Sequence, residues 1–188
     1  MISDIFDKNV CKVLTLFSIS PGSRFTRNDI KEKTLLHNIP LDNAIINLLN
    51  NKLLLKEKRL LSLNFENWYV KNIIDMMQKE YIRFKEIPLK IYYLLIDISS
   101  ELSKETAIKT IYLFGSYAKL IYTEKSDIDL AIILRKEEEK LVKEIKRIIT
   151  RIEKKYDKVI ETHFFTEKDM KQKDRLIKDI LKNGVILF

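Results

Sequence analysis

The sequence is poor in cysteine, proline and glycine, with one, three and three of these residues among 188. The single cysteine, Cys11, cannot form an internal disulfide, and without a cysteine–histidine cluster a zinc finger is excluded. So few glycines leave no glycine-rich P-loop. Apolar runs of the roughly 20 residues that a transmembrane helix needs are missing. The N-terminus mixes charged with apolar residues, unlike a secretory signal. These absences predict a globular, cytoplasmic protein.

Positive charge is the main excess in the composition. The chain has 35 Lys and Arg residues against 27 Asp and Glu residues, for a net charge of +8. A basic protein attracts phosphate-bearing partners, either nucleotides or nucleic acids. The basic residues are spread along the chain and form no single arm. The charge therefore predicts a phosphate-bearing partner without choosing between these two classes.

The first 65 residues combine helical periodicity with a short hairpin pattern. Apolar residues recur at helical spacing before Pro21 and after Pro40, and Thr26 can cap a short helix between them. Two leucine-rich segments then flank a charged turn. The expected elements are helices over 10–20, 27–35 and 41–51 and strands over 53–55 and 60–63. Because three helices and a β-ribbon follow the order of a winged helix-turn-helix, we predict a domain like this over residues 1–65.

A winged helix-turn-helix can bind DNA through its third helix and its wing. The side chains available for bases or phosphates are Asn43, Asn47, Lys52, Lys56, Lys58 and Arg59. The third helix has no basic residue before Lys52, which is unfavourable for neutralising phosphates. Modules of this kind also mediate protein contacts, so both DNA and protein remain open as partners.

The rest of the chain separates into a helical segment and a mixed segment. Residues 66–104 carry two apolar stripes at helical spacing, interrupted by Pro88, and predict a helical linker. Residues 105–188 alternate β-type and helical patterns, which predicts a mixed sheet flanked by helices. The expected elements are strands over 110–114, 128–134 and 159–165 and helices over 136–156 and 167–183, the last capped by Thr166 with Asp169. The fold class is therefore α+β.

A glycine and a serine follow the first strand of the mixed segment. Gly115 permits unusual backbone angles and lets the main chain approach a ligand closely. Ser116 adds a hydroxyl, and the next helix presents unpaired N–H groups, which suit a phosphate. Gly-Ser pairs are common in ordinary turns, so this pair indicates a site only together with other residues.

Two aspartates stand at the start of the second strand. Residues two apart on a strand share a face, so Asp127 and Asp129 are expected to lie roughly 7 Å apart and to point the same way. The strand is otherwise apolar on both faces and is expected to be central. Two like charges there repel each other, and burial adds a desolvation cost. A divalent cation resolves both problems, and Mg²⁺ prefers carboxylate oxygens. The alternative is a solvated strand end.

Glu161 is a candidate third carboxylate. It stands among apolar neighbours in the third strand, where a charged residue requires a partner. An outward-facing glutamate on an edge strand is the alternative. His163 shares the strand face of Glu161 and could line the same site, although packing or surface exposure is the commoner role of a histidine in this position.

The pattern of Gly-Ser, ten intervening residues and Asp-x-Asp resembles the signature of the polymerase-β-like nucleotidyltransferase superfamily, and most of all its minimal (MNT) branch. The resemblance covers about residues 105–188. It implies that a nucleoside triphosphate binds at Gly115, Ser116 and Lys119. It further implies that Asp127, Asp129 and Glu161 are catalytic and hold two Mg²⁺ ions. Two departures are visible: Lys119-Leu120 replaces the Arg-Gly pair of many relatives, and Glu161 stands where Asp is frequent.

The resemblance also implies a reaction. A nucleoside monophosphate, expected to be AMP from ATP, would pass to a hydroxyl group on a protein or small molecule, with release of pyrophosphate. MNT domains often act as antitoxins beside a helical HEPN-type protein that they modify, so this type of protein is an implied partner. The alternative is a DNA-binding transcriptional regulator whose C-terminal domain senses a nucleotide without turnover.

Overall fold

The chain folds as two units, of which the first ends at Arg83 and the second begins at Phe84. The computed structural model describes residues 6–85, 87–136, 138–172 and 174–188. Within these ranges, no helix combines the length and the apolar character that crossing a membrane requires.

The first unit is organised around its first helix. The elements of its described part are α1 (Lys8–Ile19), β1 (Phe25–Thr26), α2 (Arg27–Thr34), α3 (Asn38–Asn50), β2 (Leu54–Glu57), β3 (Leu60–Leu63) and α4 (Trp68–Arg83). α1 packs against α2, α3 and α4, and all its residues from Cys11 to Ser18 are buried. The strands form an antiparallel sheet in the order β1–β3–β2.

Side-chain caps determine where the first two helices begin. The Asp7 carboxylate accepts hydrogen bonds from the backbone N–H groups of Asn9 and Val10, at 2.9 and 3.0 Å, where α1 starts. At α2, the Thr26 hydroxyl accepts from the Asp29 N–H at 3.2 Å, and the Asp29 carboxylate accepts from the Thr26 N–H at 2.7 Å. This reciprocal pair is a capping box. The predicted cap at Thr26 is confirmed.

The expected order of three helices and a hairpin is present in the first unit. The hairpin turn is shorter than expected, because Lys56 and Glu57 extend β2 and Lys58 takes the turn with a φ of 53°. β1 has no counterpart among the expected elements, since two residues are too few for alternation to be visible. The interpretation as a winged helix-turn-helix domain stays a prediction.

The second unit is built on a mixed sheet. The elements of its described part are α5 (Leu89–Leu102), β4 (Ile108–Phe114), α6 (Gly115–Lys119), β5 (Ile128–Leu134), α7 (Glu139–Tyr156), β6 (Ile160–Thr166), α8 (Arg175–Asn183) and β7 (Val185–Ile186). The strand order is β6–β5–β4–β7, with β5 and β6 parallel and the other pairs antiparallel. α7 is therefore the crossover helix between the two parallel strands. The predicted mixed sheet is confirmed.

β5 lies inside this sheet and is buried on both faces. On one face, Ile128, Leu130, Ile132 and Leu134 are completely buried. On the other, Ala131 packs with Phe114 of β4 and Ile180 of α8. Asp129 begins this second face and is half-buried, while the adjacent position on β6 is exposed. α8 thus covers the middle of the face, and the end that carries Asp129 remains open to solvent.

Two segments differ from expectation. The two helices of the expected linker, residues 66–104, belong to different units, because α4 packs on α1 and α5 packs on α7. The single helix expected over 167–183 is wrong. Thr166 and Asp169 form the expected hydrogen-bonded pair, but it leads only into a 3₁₀ turn (Asp169–Lys171). α8 begins later because the Asp174 carboxylate accepts from two backbone N–H groups of its first turn.

A buried carboxylate joins α5 to α7. Asp97 is 4% exposed and accepts hydrogen bonds from Lys155 Nζ at 2.7 Å and from the Tyr156 hydroxyl at 2.8 Å. Burial and the negative charge of Asp97 raise the pKa of Tyr156, so its phenol stays protonated and remains a donor. Removing a donor from a buried charge is costly, because no water takes its place.

We expect Tyr156→Phe to lower the free energy of unfolding by about 1–3 kcal/mol, since the Asp97 carboxylate loses a hydrogen-bond donor. Urea denaturation at pH 7 measures the change. Tyr69→Phe is the control, because Tyr69 is 52% exposed on α4. Equal stability of wild type and Tyr156→Phe would show that this hydrogen bond contributes nothing.

Candidate active site

Gly115 lies where β4 ends and α6 begins. Its φ of 67° falls in the left-handed region, which glycine adopts without steric cost. A Cβ atom at this position would lie only 1.9 Å from Oδ2 of Asp129. Glycine is therefore required twice, once for the backbone angle and once because the aspartate carboxylate occupies the space of a side chain. The Gly115-Ser116 turn and Asp129 are therefore in direct contact.

Asp129 is held by the turn and crowded by charge. The backbone N–H of Ser116 donates a hydrogen bond to its carboxylate. Burial raises the pKa of Asp129, and the charge of Glu161 raises it further, while His163 and the Ser116 N–H act in the opposite direction. The raised pKa means that the site disfavours one more negative charge. A bound cation would remove this penalty.

Glu161 is the neighbour of Asp129 across the two parallel strands. The register pairs Asp129 of β5 with Glu161 of β6, so both side chains leave the same face of the sheet. β6 is an edge strand of the sheet, and the Glu161 side chain is 58% exposed. Glu161 is thus an exposed residue on an edge strand, as the alternative interpretation of the sequence expected, yet its side chain still lies beside Asp129. The structure brings these two candidate residues together.

His163 completes a compact group of ligand atoms. One carboxylate oxygen each from Asp129 and Glu161 and one ring nitrogen of His163 all lie within 4.8 Å of one another. His163 Nε2 is 3.2 Å from Glu161 Oε1. Two carboxylates and an imidazole around one space can hold a divalent cation. The sequence signal for His163 was its two-residue spacing from Glu161 on one strand, which is weak because many surface histidines share it.

Asp127 lies at the edge of this group. It is exposed, directly precedes β5, and its charge makes the smallest contribution to the raised pKa of Asp129. The loop before it is held by a hydrogen bond of 2.8 Å from the Thr123 N–H to the Ser126 hydroxyl. Asp127 is outside the three-residue ligand group, so its carboxylate is available to a ligand at the mouth of the site.

Lys119 is bound to α8. Its Nζ lies 2.7 Å from Asp179 Oδ2, and the Asn183 amide donates to the other oxygen of Asp179 at 2.8 Å. The Lys119 ammonium holds the pKa of Asp179 below its usual value. An open cavity of about 650 Å³ runs along this side of α8, lined by Lys119, Asp174, Arg175, Leu176, Lys178, Asp179, Lys182 and Asn183. Lys119 therefore has an acidic partner already, which a phosphate would have to replace.

The candidate DNA contacts lie in the first unit and are exposed: Asn43, Asn47, Lys52, Lys56, Lys58 and Arg59. Asn43 and Asn47 line a cavity of about 230 Å³ together with Asp7. The exposed side of α3 also carries Ile39 and Ile46, which are 75% and 54% exposed. This side of the helix is thus composed of amides and aliphatic groups, and the cations are in the turn after α3 and on the hairpin. DNA binding by these residues stays a prediction.

Leu120 stands where many relatives have glycine, and it adopts the left-handed backbone conformation that glycine favours. It caps α6 with a φ of 58° and a ψ of 30°, and its N–H bonds to the carbonyl of Ser116. A left-handed conformation costs a residue with a Cβ roughly 1–2 kcal/mol. The Leu120 side chain is 47% exposed, so packing offsets little of this cost. The turn keeps its shape under strain.

We expect Leu120→Gly to be more stable than Leu120→Ala by about 1 kcal/mol, because both remove the exposed isopropyl group and only glycine also removes the Cβ that strains the backbone. The comparison uses the midpoints of urea denaturation, with Ile121→Ala at the exposed neighbour as the control. If the alanine variant is the more stable of the two, the left-handed conformation is not strained.

The family comparison concerns the second unit. A family model described as Polymerase beta, Nucleotidyltransferase matches residues 97–188. A search of curated proteins gives no match. Among solved structures, the chain is similar to the crystal structure of a mutant of the toxin–antitoxin MntA–HpeT. The identity is 18%, the match covers 53% of this chain and 70% of that chain, and the TM-score is 0.35. By the family match, the C-terminal part of this chain, which carries the site, belongs to the polymerase-β-like nucleotidyltransferase superfamily and is a nucleotidyltransferase.

Proposed function

We propose that the protein moves an adenylyl group from ATP to a hydroxyl group on a protein or small molecule. The observation that carries this proposal is the position of the Asp129 carboxylate, which contacts the Gly115-Ser116 turn on one side and pairs in register with Glu161 on the other. The proposed phosphate-binding turn and the proposed cation site would thereby be adjacent. Transfer at the α-phosphorus of a nucleotide needs both.

A divalent cation fits the residues that are present. Family members use divalent metal ions and a nucleoside triphosphate. Asp129 and Glu161 would hold the cations, with Asp127 at the mouth, and we propose two Mg²⁺ ions. When bound, these ions neutralise phosphate charge and favour the ionised form of the acceptor hydroxyl. The raised pKa of Asp129 supports the assignment, because burial and the charge of Glu161 outweigh the opposing effects of His163 and the Ser116 N–H.

The chain's own groups would position the triphosphate. Gly115 leaves room for the Asp129 carboxylate against the turn, and the N-terminus of α6 would contribute N–H groups to a phosphate. The Ser116 hydroxyl would donate to the β- and γ-phosphates while its N–H keeps Asp129 in place. Lys119 would contribute positive charge after leaving Asp179. These groups align the α-phosphorus for in-line attack.

The reaction balances as a substitution at phosphorus. The acceptor oxygen forms a bond to the α-phosphorus, the bond from the α-phosphorus to the bridging oxygen breaks, and pyrophosphate leaves with its electron pair. The hydroxyl proton passes to solvent or to a nearby carboxylate. The expected acceptor class includes a hydroxyl-bearing side chain of a helical HEPN-type partner, in which case the protein would act as an antitoxin.

We expect Asp129→Asn to melt at a higher temperature than wild type at pH 7 when no metal is present. Asparagine keeps an oxygen that can accept from the Ser116 N–H. It also removes the negative charge of Asp129, which the folded state disfavours. The gain should shrink as the pH falls from the raised pKa of Asp129 in the folded protein towards the ordinary aspartate pKa of 3.8, below which the wild-type carboxyl is neutral in both the folded and the unfolded state.

The same melts distinguish metal binding from simple charge repulsion. Added MgCl₂ with a non-hydrolysable ATP analogue should raise the melting temperature of wild type and leave Asp129→Asn unchanged. Asp157→Asn is the matched control, since Asp157 is exposed and its left-handed backbone suits asparagine. An equal shift in wild type and Asp129→Asn would place the nucleotide elsewhere.

Transfer itself is tested with ATP labelled at the α- or the γ-phosphorus, Mg²⁺ and a cell extract. We expect α-label to appear on a macromolecule or small molecule and γ-label to leave as pyrophosphate. Asp129→Asn and Glu161→Gln should lose at least about 99% of the transfer, as for groups that act only in the transition state. Glu144→Gln on the exposed side of α7 is the control for Glu161→Gln.

Two outcomes would reject the proposal. Transfer of γ-label would show a kinase, and full transfer in Asp129→Asn would show a different site. Salt-sensitive duplex binding without any transfer would favour the alternative function, a DNA-binding regulator that senses a nucleotide.

A further inference from the structure

His163 lies beside the carboxylates of the site, although the predicted metal ligands are only Asp127, Asp129 and Glu161. It follows Glu161 by two residues on β6, and its partner in the parallel register is Ala131 of β5. Its ring nitrogen joins the oxygens of Asp129 and Glu161 within a 4.8 Å group. The imidazole therefore stands beside both carboxylates, on the face of the sheet that holds the site.

The ring of His163 is held in place by its neighbours. It packs edge-on against Phe114, with ring centroids 5.4 Å apart and planes at 67°. Phe114 is buried and belongs to the cluster that contains Ala131. A small residue at 131 leaves room beside the ring, and the aromatic contact limits its rotation. The His163 side chain is 30% exposed, so its nitrogen can still reach a solvent-borne ion.

A simple surface ion pair explains less of this arrangement. A pair between His163 and Glu161, at 3.2 Å, needs no third group. Here the Asp129 carboxylate converges on the same space, although it is already crowded by Glu161 and half-buried. Two oxygens and one nitrogen that lie within 4.8 Å of one another form a ligand set rather than a pair.

We propose that His163 is a ligand of the cation site and makes this site prefer Mn²⁺ to Mg²⁺. The inference rests on the proposed function, because it assigns a further ligand to the same site. Mg²⁺ takes oxygen ligands almost exclusively and gives up its water reluctantly. Imidazole nitrogen suits first-row transition ions, of which Mn²⁺ also accepts carboxylates. A mixed set of two carboxylates and an imidazole thus favours Mn²⁺.

The test measures binding of the metal alone to the full chain, without nucleotide. Free Mn²⁺ is followed by its EPR signal, and Mg²⁺ affinity is obtained by competition. We expect His163→Ala to weaken Mn²⁺ binding by about tenfold or more and Mg²⁺ binding by less than about threefold, as for loss of a group that tunes a metal site. His37→Ala, at the other histidine of the chain, is the matched control.

A spectroscopic measurement on wild type tests for the histidine ligand directly, and the two variants then assign the signal to one histidine. Pulsed EPR of bound Mn²⁺ should show coupling to an imidazole nitrogen, which remains in His37→Ala and is lost in His163→Ala. Bound Mn²⁺ without nitrogen coupling, no Mn²⁺ binding by wild type, or an unchanged Mn²⁺-to-Mg²⁺ preference in His163→Ala would each overturn the proposal.

Failure of this inference differs from failure of the proposed function. If Asp129→Asn loses metal binding and adenylyl transfer while wild type shows no nitrogen coupling, the site stands and His163 is not a ligand. If Asp129→Asn binds Mn²⁺ as wild type does, the metal is elsewhere and both proposals fail.

Discussion

The carboxylate of Asp129 occupies the space that a side chain at position 115 would fill, and much of the second unit serves to keep it there. β5 is anchored on one face by aliphatic residues and on the other by the cluster around Ala131. The α7 crossover makes β6 parallel to β5, and this direction sets Glu161 opposite Asp129. Electrostatic repulsion at the end of the strand is tolerated because apolar burial along the strand is large.

The site is asymmetric in its exposure to water. Asp129 is half-buried beside the turn, whereas Glu161 and Asp127 are exposed, one on an edge strand and one in a loop. The negative charge of Asp129 interacts more strongly with neighbouring charges than that of Glu161 or Asp127, since less water screens it. The exposed members can adjust to a ligand with little disturbance of the core. The half-buried Asp129 is therefore fixed beside the turn, whereas the exposed Glu161 and Asp127 can adjust their side chains to a ligand.

Sequence reasoning located the strands and the turn because their signals are local. β5 begins and ends where the apolar run does, and the spacing of two residues put Asp127 and Asp129 on one side. The exact pairing of Asp129 with Glu161 could not be derived from spacing along the chain, since it depends on a parallel register set by α7. The helix expected directly after Thr166 begins only after Asp174, which caps it, because two capping residues compete and composition gives no means to rank them. The contact of Asp129 with Gly115 joins two different elements of the fold, so the spacing of residues along the sequence could not predict it.

This contact also constrains the order in which the chain can change during evolution. While the aspartate is present, any residue other than glycine at 115 meets its carboxylate head-on. Once the aspartate has been replaced by a smaller residue, the glycine is free to vary except for its backbone angle. Substitutions at the two positions are therefore not additive, and a change at 115 costs more while the aspartate at 129 is present. A descendant that had lost catalysis would be expected to carry its first change at 129 and only later a change at 115.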